Sequence, residues 1–376
     1  MRVLHVITGL GSGGAEAMLA KLVRAGGRHT HSVASLAGLG AGGAGLVEAG
    51  ISVHPLDFDS GPGIVRGFGR LRNLIRRGEY DIVQGWLNHG NLAATLAHAT
   101  SGSSASLLWN IRQSLMGGKY DNWRTRRIIS INARLSNRPT VILYNSRAGA
   151  EQHEAAGYSR KKRHIIPNGF DTERFGPGRD RRERVRAELG MSQNEILIGL
   201  VARFDPWKNH RSFFEAAASL VADGRPVRFL FAGQGMEATN AELMRSIAHP
   251  QVMQDSLFLG QRSDIHALTA ALDIACNASH GEGFPNAVGE AMACAVPCVV
   301  TDAGDCRDIV GDTGIVCEGR DSAALTAGLR TMIDLGEVQR TLLGERARAR
   351  IIANFSLGEI VRRYDELYDV AASGEA

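Results

Sequence analysis

The chain has 376 residues, 44% hydrophobic and 22% charged, with a formal net charge of +4. That is the balance of a globular chain long enough for two domains, and it excludes a disordered or fibrous protein. No apolar run approaches the roughly 20 residues of a membrane span.

The start, "MRVLHVITGLGSGG", lacks the longer apolar core and cleavage site of a secretory leader, so a cytoplasmic location is expected. "RVLHVI" predicts a buried strand and "AEAMLAKLVRAG" a helix. Between them Gly9, Gly11 and Gly14 match G-x-G-x-x-G, the dinucleotide fingerprint. "THSVASL" and "ISVHPLDF" read as strands, "GIVRGFGRLRNLIRRG" as a helix, and "YDIVQGW" as a further strand. "NLAATLAHATS" is helical, and "SLLWNIR" and "TVILYNS" are strands. Strand–helix alternation implies a parallel sheet covered on both faces.

"HIIPNGFDTERFGPGRDRR" breaks the rhythm, and the pattern then restarts. "EILIGLVAR", "VRFLFAGQG", "SLFLG", "IACNAS" and "PCVVTD" read as strands. "HRSFFEAAASLVAD", "ATNAELMRSIAH", "DIHALTAAL" and "NAVGEAMACA" read as helices. The expected fold is α/β, with two doubly wound parallel-sheet domains at residues 1–170 and 171–355. A final amphipathic helix in 356–376 is expected to pack back on the first domain. Open α/β sheets bind ligands at the C-terminal ends of their strands, here in a cleft expected between the domains.

The five cysteines, Cys276, Cys294, Cys298, Cys306 and Cys317, are odd in number and form no C-x-x-C pair, which argues for buried, reduced thiols. Charge is uneven. Residues 1–175 carry 22 Lys and Arg against 11 Asp and Glu; the remainder carries 21 against 28. A basic N-terminal half suits an anionic partner.

Three constellations carry chemistry. In "HGEGFPNAVGEAMACAVPCVVTDAGD", Glu282 stands in a Gly/Pro loop and Glu290 inside the next helix. Residues Asn286 to Gly289 open that helix, whose amides and positive dipole end suit a phosphate without a metal. In "GLVARFDPWKNH", Arg203 and Lys208 suit a diphosphate, the first at a predicted strand end and the second before a helix. Gly233 and Gly235 in "FAGQG" mark a loop able to approach a ligand closely. No D-x-D segment stands in a site-like strand-end context, so no obligatory metal is expected.

These segments, with "NSRAGAEQHEAAGY" and "IIPNGFDTERF", resemble the retaining GT-B glycosyltransferases of family 4, from residue 1 to about 360. "WNIRQSL" resembles the subgroup that builds bacterial surface polysaccharides. The resemblance implies two Rossmann-like domains facing a central cleft, and an NDP-sugar donor with no other cofactor. Arg203 and Lys208 would neutralise the diphosphate, Glu282 would contact the donor sugar's hydroxyls, and Glu290 would hold the ribose. Asn286, Ala287 and Val288 would offer backbone donors. The first domain would take a glycan or lipid-linked acceptor. Its loop Gly11, Ser12, Gly13 and Gly14 would approach the donor phosphates, and His89 would lie beside the reacting sugar at the end of "YDIVQGW". Whether Asn88 or His89 points inward stays open. Arg112 would touch the acceptor. Where many members have a glycine pair followed by Glu, this chain has "DAGDCRDIVGDTG" with Asp305 and Asp308. The implied mechanism is same-face attack as the diphosphate leaves, helped by domain closure.

In "GKYDNWRTRRIISINARLSNR", Tyr120 and Trp123 interleave with Arg124, Arg126, Arg127, Arg134 and Arg138. With "RGFGRLRNLIRRG" this predicts peripheral docking on the inner face of an anionic cytoplasmic membrane. No nucleic-acid-binding motif is present. The competing functions are an NAD-dependent oxidoreductase, a non-catalytic sugar-nucleotide sensor, and a nucleotide-sugar epimerase or glucan synthase on the same fold. The oxidoreductase needs an acid about 20 residues past the glycines. After Glu16 the next acid is Glu48.

Overall fold

The computed structural model describes residues 1–11, 13–58, 61–115, 123–192, 195–247 and 249–374. Its contacts divide the chain into two units, Met1–Gly169 with Leu357–Ala376, and Phe170–Ser356.

The first unit runs β1 (Arg2–Ile7), α1 (Gly14–Ala25), β2 (Thr30–Ser35), α2 (Gly40–Glu48), β3 (Ser52–Pro55), α3 (Gly61–Arg77), β4 (Ile82–Trp86), α4 (Leu87–Ser101), β5 (Ser106–Ile111), α5 (Trp123–Leu135), β6 (Val141–Tyr144), α6 (Arg147–Ala155) and β7 (Arg163–Ile165). Its strands form one parallel sheet in the order β3-β2-β1-β4-β5-β6-β7. Burial on both faces explains why "RVLHVI" and "DIVQGW" are continuous apolar runs rather than alternating ones. One face packs Ile7, Leu19, Leu22 and Trp86 against Tyr364 and Tyr368 of the last helix; the other packs Leu4, Val6, Leu71, Trp109 and Tyr144.

The second unit runs α7 (Arg179–Glu188), β8 (Ile196–Val201), α8 (His210–Ala222), β9 (Val227–Ala232), α9 (Ala241–Ser246), α10 (Pro250–Gln254), β10 (Ser256–Phe258), α11 (Ile265–Ala270), β11 (Ile274–Asn277), α12 (Asn286–Ala293), β12 (Cys298–Thr301), α13 (Cys306–Val310), β13 (Ile315–Cys317), α14 (Ser322–Asp334) and α15 (Gly336–Phe355). Its parallel sheet has the order β10-β9-β8-β11-β12-β13. Aromatic packing of Phe213 on Phe229 and Phe231 fills one face. The chain then returns to the first unit as α16 (Leu357–Ser373), which packs on α1 through Ile360, Tyr364 and Tyr368.

Two differences from the sequence reading have local causes. The segment forming α2 has four glycines in nine residues, a poor helix former by propensity. It is helical because a Cβ at Gly42 would lie 2.8 Å from the Leu10 carbonyl, so glycine lets the helix press on the loop after β1. Helix α4 begins at Leu87, four residues earlier than its apolar spacing indicates, because Leu87 takes φ 61° and turns the chain sharply out of β4.

Candidate active site

In a doubly wound sheet the crevice for a ligand opens where strand order reverses. In the second unit that point lies between β8 and β11, and the predicted donor residues gather on the segments that follow those strands. Strand β8 ends at Val201, so Arg203 stands two residues beyond it rather than at its end. The Arg203 side chain is exposed, and its Nε donates to Asp205 Oδ2 at 3.0 Å. The other Asp205 oxygen accepts the Trp207 N–H at 2.9 Å, capping a single helical turn, Pro206–Lys208, that ends in Lys208. The stack of Phe204 on His210 braces the turn, and His210 Nε2 donates to the Arg203 carbonyl at 3.0 Å. Burial holds the His210 pKa below its ordinary value, so the imidazole is neutral.

The ammonium of Lys208 reaches Glu282 Oε1 at 2.5 Å. The same oxygen accepts Ser279 Oγ at 2.7 Å and Asn277 Nδ2 at 3.2 Å. Asn277 is the last residue of β11 and Ser279 lies two residues past it, and sequence reading missed both. Nothing in their residue types marks them; only the turn they form brings them onto the carboxylate.

Helix α12 starts at Asn286, directly after the loop. Asn286 and Ala287, the expected backbone donors, stand in its first turn. Val288 differs. Its N–H already donates to the Pro285 carbonyl at 3.1 Å and its side chain is buried, so it supplies packing rather than an amide. Glu290 is half-buried further along the helix. Gly289 is required by Phe170, whose ring a Cβ there would overlap. Gly233, with φ 145°, is required by the backbone of Ala202 and Arg203, which a Cβ would strike. Its glycine identity is thus explained by the fit between two loops. In "DAGD", Gly304 takes φ 56° and lies against the carbonyls of Glu282 and Gly283, so this loop backs the one bearing Glu282.

In the first unit the order reverses between β1 and β4. The glycine loop follows β1. Ser12 lies outside the described residues. Gly13 caps α1 and Gly14 begins it. The Glu16 carboxylate folds back onto the space a Gly13 side chain would fill, so this helix start faces an acid of its own. After β4, the positive φ of Leu87 places Asn88 and His89 in the first turn of α4, not on the strand as the sequence suggested. Gly90 and Gly85 permit the turn: a Cβ on Gly90 would overlap the Val6 carbonyl, and one on Gly85 would lie 2.6 Å from Asn91 Cα. This resolves which residue faces out. His89 is exposed, with its pKa lowered by partial burial, and Asn88 is buried, its side-chain atoms unpaired among the described residues.

Arg112, expected at the acceptor, is held within the unit. Its guanidinium stacks on Trp86 at 5.4 Å and donates to Tyr364 Oη at 2.9 Å, to Asn110 Oδ1 at 3.3 Å and to Asn168. It braces β5 against α16. Beneath it, Trp86 Nε1 donates to His5 Nδ1 at 3.1 Å, which fixes the His5 proton on Nε2. That nitrogen donates to His31 Nδ1 at 3.0 Å, and His31 Nε2 donates to the Gly26 carbonyl at 3.0 Å. Among the described residues, no three His, Cys, Asp or Glu side chains are grouped to hold a metal, and no helix is long and apolar enough to cross a membrane.

Two parallel sheets with polar loops at their switch points are the architecture of a GT-B glycosyltransferase, and solved structures bear this out. HepE of Anabaena, solved in complex with UDP, superposes with a TM-score of 0.85 at 22% identity, covering 98% of this chain and 100% of that one. The model of glycosyl transferases group 1 matches residues 195–334, and that of glycosyltransferase family 4 matches residues 12–174. The chain belongs to this family of glycosyltransferases. The putative glycosyltransferase EpsF of Bacillus subtilis (strain 168) is 28% identical over 321 residues, 80% of this chain and 79% of that one. The N-acetyl-alpha-D-glucosaminyl L-malate synthase of Bacillus anthracis is 29% identical over 188 residues, 49% of this chain and 48% of that one. The dinucleotide reading of Gly9, Gly11 and Gly14 gives way to this assignment.

Proposed function

We propose that the enzyme moves a sugar from a nucleoside diphosphate sugar to a hydroxyl of a glycan or lipid-linked acceptor in cell-surface polysaccharide or glycolipid synthesis. The transfer retains anomeric configuration and needs no metal. The observation that carries this reading is the Lys208–Glu282 pair at the β8/β11 switch point, next to the start of α12. It sets a cation for a diphosphate beside a carboxylate for sugar hydroxyls.

As the glycosidic bond to phosphate lengthens, positive charge grows on the anomeric carbon and negative charge on the leaving diphosphate. Lys208, Arg203 and the Asn286 end of α12 are the groups that stabilise the latter. Glu282 orients the sugar, and Glu290 takes the ribose. The acceptor hydroxyl attacks from the face the diphosphate leaves, and the departing phosphate oxygen takes its proton. The first unit carries the acceptor, with His89 as its polar contact. Malate in the name of the Bacillus anthracis relative supports a small soluble acceptor as the alternative.

An anionic membrane surface is the second partner. Helix α3 exposes Ile64 and Val65 ahead of Arg66, Arg70, Arg76 and Arg77, with Val65 73% exposed. At the start of α5, Trp123 is 57% exposed, with the Arg124 and Arg127 guanidiniums 5.4 and 5.6 Å from its ring. Tyr120 lies outside the described residues.

The test is transfer from labelled UDP- and GDP-sugars to membrane-extracted lipid-linked glycans and to soluble acceptors, in EDTA, with the product's anomeric coupling read by NMR. Transfer with retained configuration, abolished in Glu282→Gln, is expected. Inverted product, or full activity in Glu282→Gln, overturns the reading.

A further inference from the structure

The two oxygens of Glu282 are treated differently. Oε1 accepts three hydrogen bonds, from Lys208 Nζ, Ser279 Oγ and Asn277 Nδ2, at 2.5, 2.7 and 3.2 Å. Oε2 accepts none among the described residues.

The donors to Oε1 are themselves fixed. Asn277 Oδ1 accepts the Ser279 N–H at 3.1 Å, which orients the amide so that Nδ2 faces the carboxylate. The Ser279 carbonyl accepts Thr301 Oγ1 at 2.6 Å, from the end of β12. Asn277, Ser279 and Thr301 are all buried, so no water competes freely for these bonds. A glutamate side chain has three rotatable bonds and, alone, presents either oxygen. Three converging donors on one oxygen remove that freedom before any ligand arrives.

We infer that Ser279 and Asn277 are positioning residues: they hold Oε1 so that Oε2 is the atom offered to a hydroxyl of the donor sugar. This rests on the proposed function and deepens it, because it separates recognition of the sugar from recognition of the diphosphate. Lys208 serves both. Ser279 and Asn277 turn their side-chain donors to the carboxylate and serve the sugar alone. Loss of the Ser279 hydroxyl leaves the cations and the start of α12 in place and frees the carboxylate to turn.

Calorimetric titration tests this with pairs of probes that differ only by the sugar: UDP against UDP-glucose, UDP-galactose and UDP-N-acetylglucosamine, and GDP against GDP-mannose. The proteins are wild type, Ser279→Ala and the isosteric Asn277→Asp, with urea midpoints measured to confirm folding. Asn277→Asp replaces a donor facing Glu282 with an acceptor. For the sugar nucleotide that wild type prefers, both variants are expected to bind about tenfold or more weakly, as for a lost bond to a charged group. Affinity for the bare diphosphate is expected to stay within about twofold on the same scale. A fold-weakening equal for the two probes, or no weakening of either, overturns the positioning role. Wild type that binds the bare diphosphates and none of the sugar nucleotides overturns the functional reading itself, a different outcome.

Discussion

At the scale of single residues, each site side chain depends on what fixes its neighbour. Lys208 and Glu282 were legible in the sequence because a Lys in a Pro-stiffened loop and a Glu in a Gly/Pro loop are unusual pieces in a distinctive order. Their supports, Asn277, Ser279 and Thr301, were not legible, because short polar residues near strand ends are common and gain meaning only from the turn. Val288 shows the converse: its place in the motif suggested an amide donor, but the Pro285 carbonyl takes that N–H. The cysteines give an independent check. All five are free and buried, and burial pushes Cys294 and Cys298 up to about 12 and raises Cys276, Cys306 and Cys317 as well. The thiolate is the reactive form, so native protein is expected to react negligibly with Ellman's reagent at pH 8. Five thiols should appear in denaturant. Rapid titration of any thiol in the native protein would show that its burial is wrong.

At the scale of elements, the glycines explain where helices can press. On Gly289 of α12 the Phe170 ring sits as part of a row in which Phe170 stacks on Phe284 and Phe284 lies beside Phe355. Gly289→Ala forces a methyl into that ring, and an overpacked core typically costs about 1–3 kcal/mol. A lower urea midpoint and weaker sugar-nucleotide binding are expected together, since the helix start must shift. Unchanged midpoint and binding would mean the ring moves aside freely. Gly90 tests the elbow in the same way. Gly90→Ala should push the first turn of α4 off β1 and reduce transfer through His89, while calorimetry shows intact sugar-nucleotide binding in the second unit. Equal loss of both would tie the elbow to overall folding instead. Strands were readable because burial on both faces leaves unbroken apolar runs. Helix α2 and the early start of α4 were not, because tertiary contact overrides glycine's poor propensity in one and a strained Leu87 initiates the other. The basic faces of α3 and α5 predict flotation with phosphatidylglycerol vesicles at about 50 mM salt and release at about 500 mM, where screening is short-ranged. Persistence at high salt, or equal binding to phosphatidylcholine, would contradict electrostatic docking.

At the scale of the whole molecule, the two-sheet plan was legible from strand–helix alternation and its break near Pro167. The His5–His31 chain was invisible to the sequence, because the two residues meet only when β1 and β2 pair. Burial lowers the pKa of both, most strongly at His5; around His31 stand His29, Asp365 and the Met1 amine. In the unfolded chain these imidazoles titrate near 6.5. Between the folded and unfolded values the unfolded chain binds more protons, so stability is full above about pH 6.5 and falls as pH drops through it. Urea midpoints of wild type should therefore fall from pH 7.5 to pH 5.5, and fall less in a His5→Leu, His31→Leu double variant. A flat profile in wild type would contradict the neutral buried pair. Calorimetry in EDTA decides whether the Lys208–Glu282 pair is a sugar-nucleotide site. UDP-glucose, UDP-galactose, UDP-N-acetylglucosamine and GDP-mannose are each titrated into wild type and Lys208→Ala. Saturable binding of at least one to wild type, weakened about tenfold or more in Lys208→Ala, is expected. Binding of none, or the same affinity in both proteins, would contradict it.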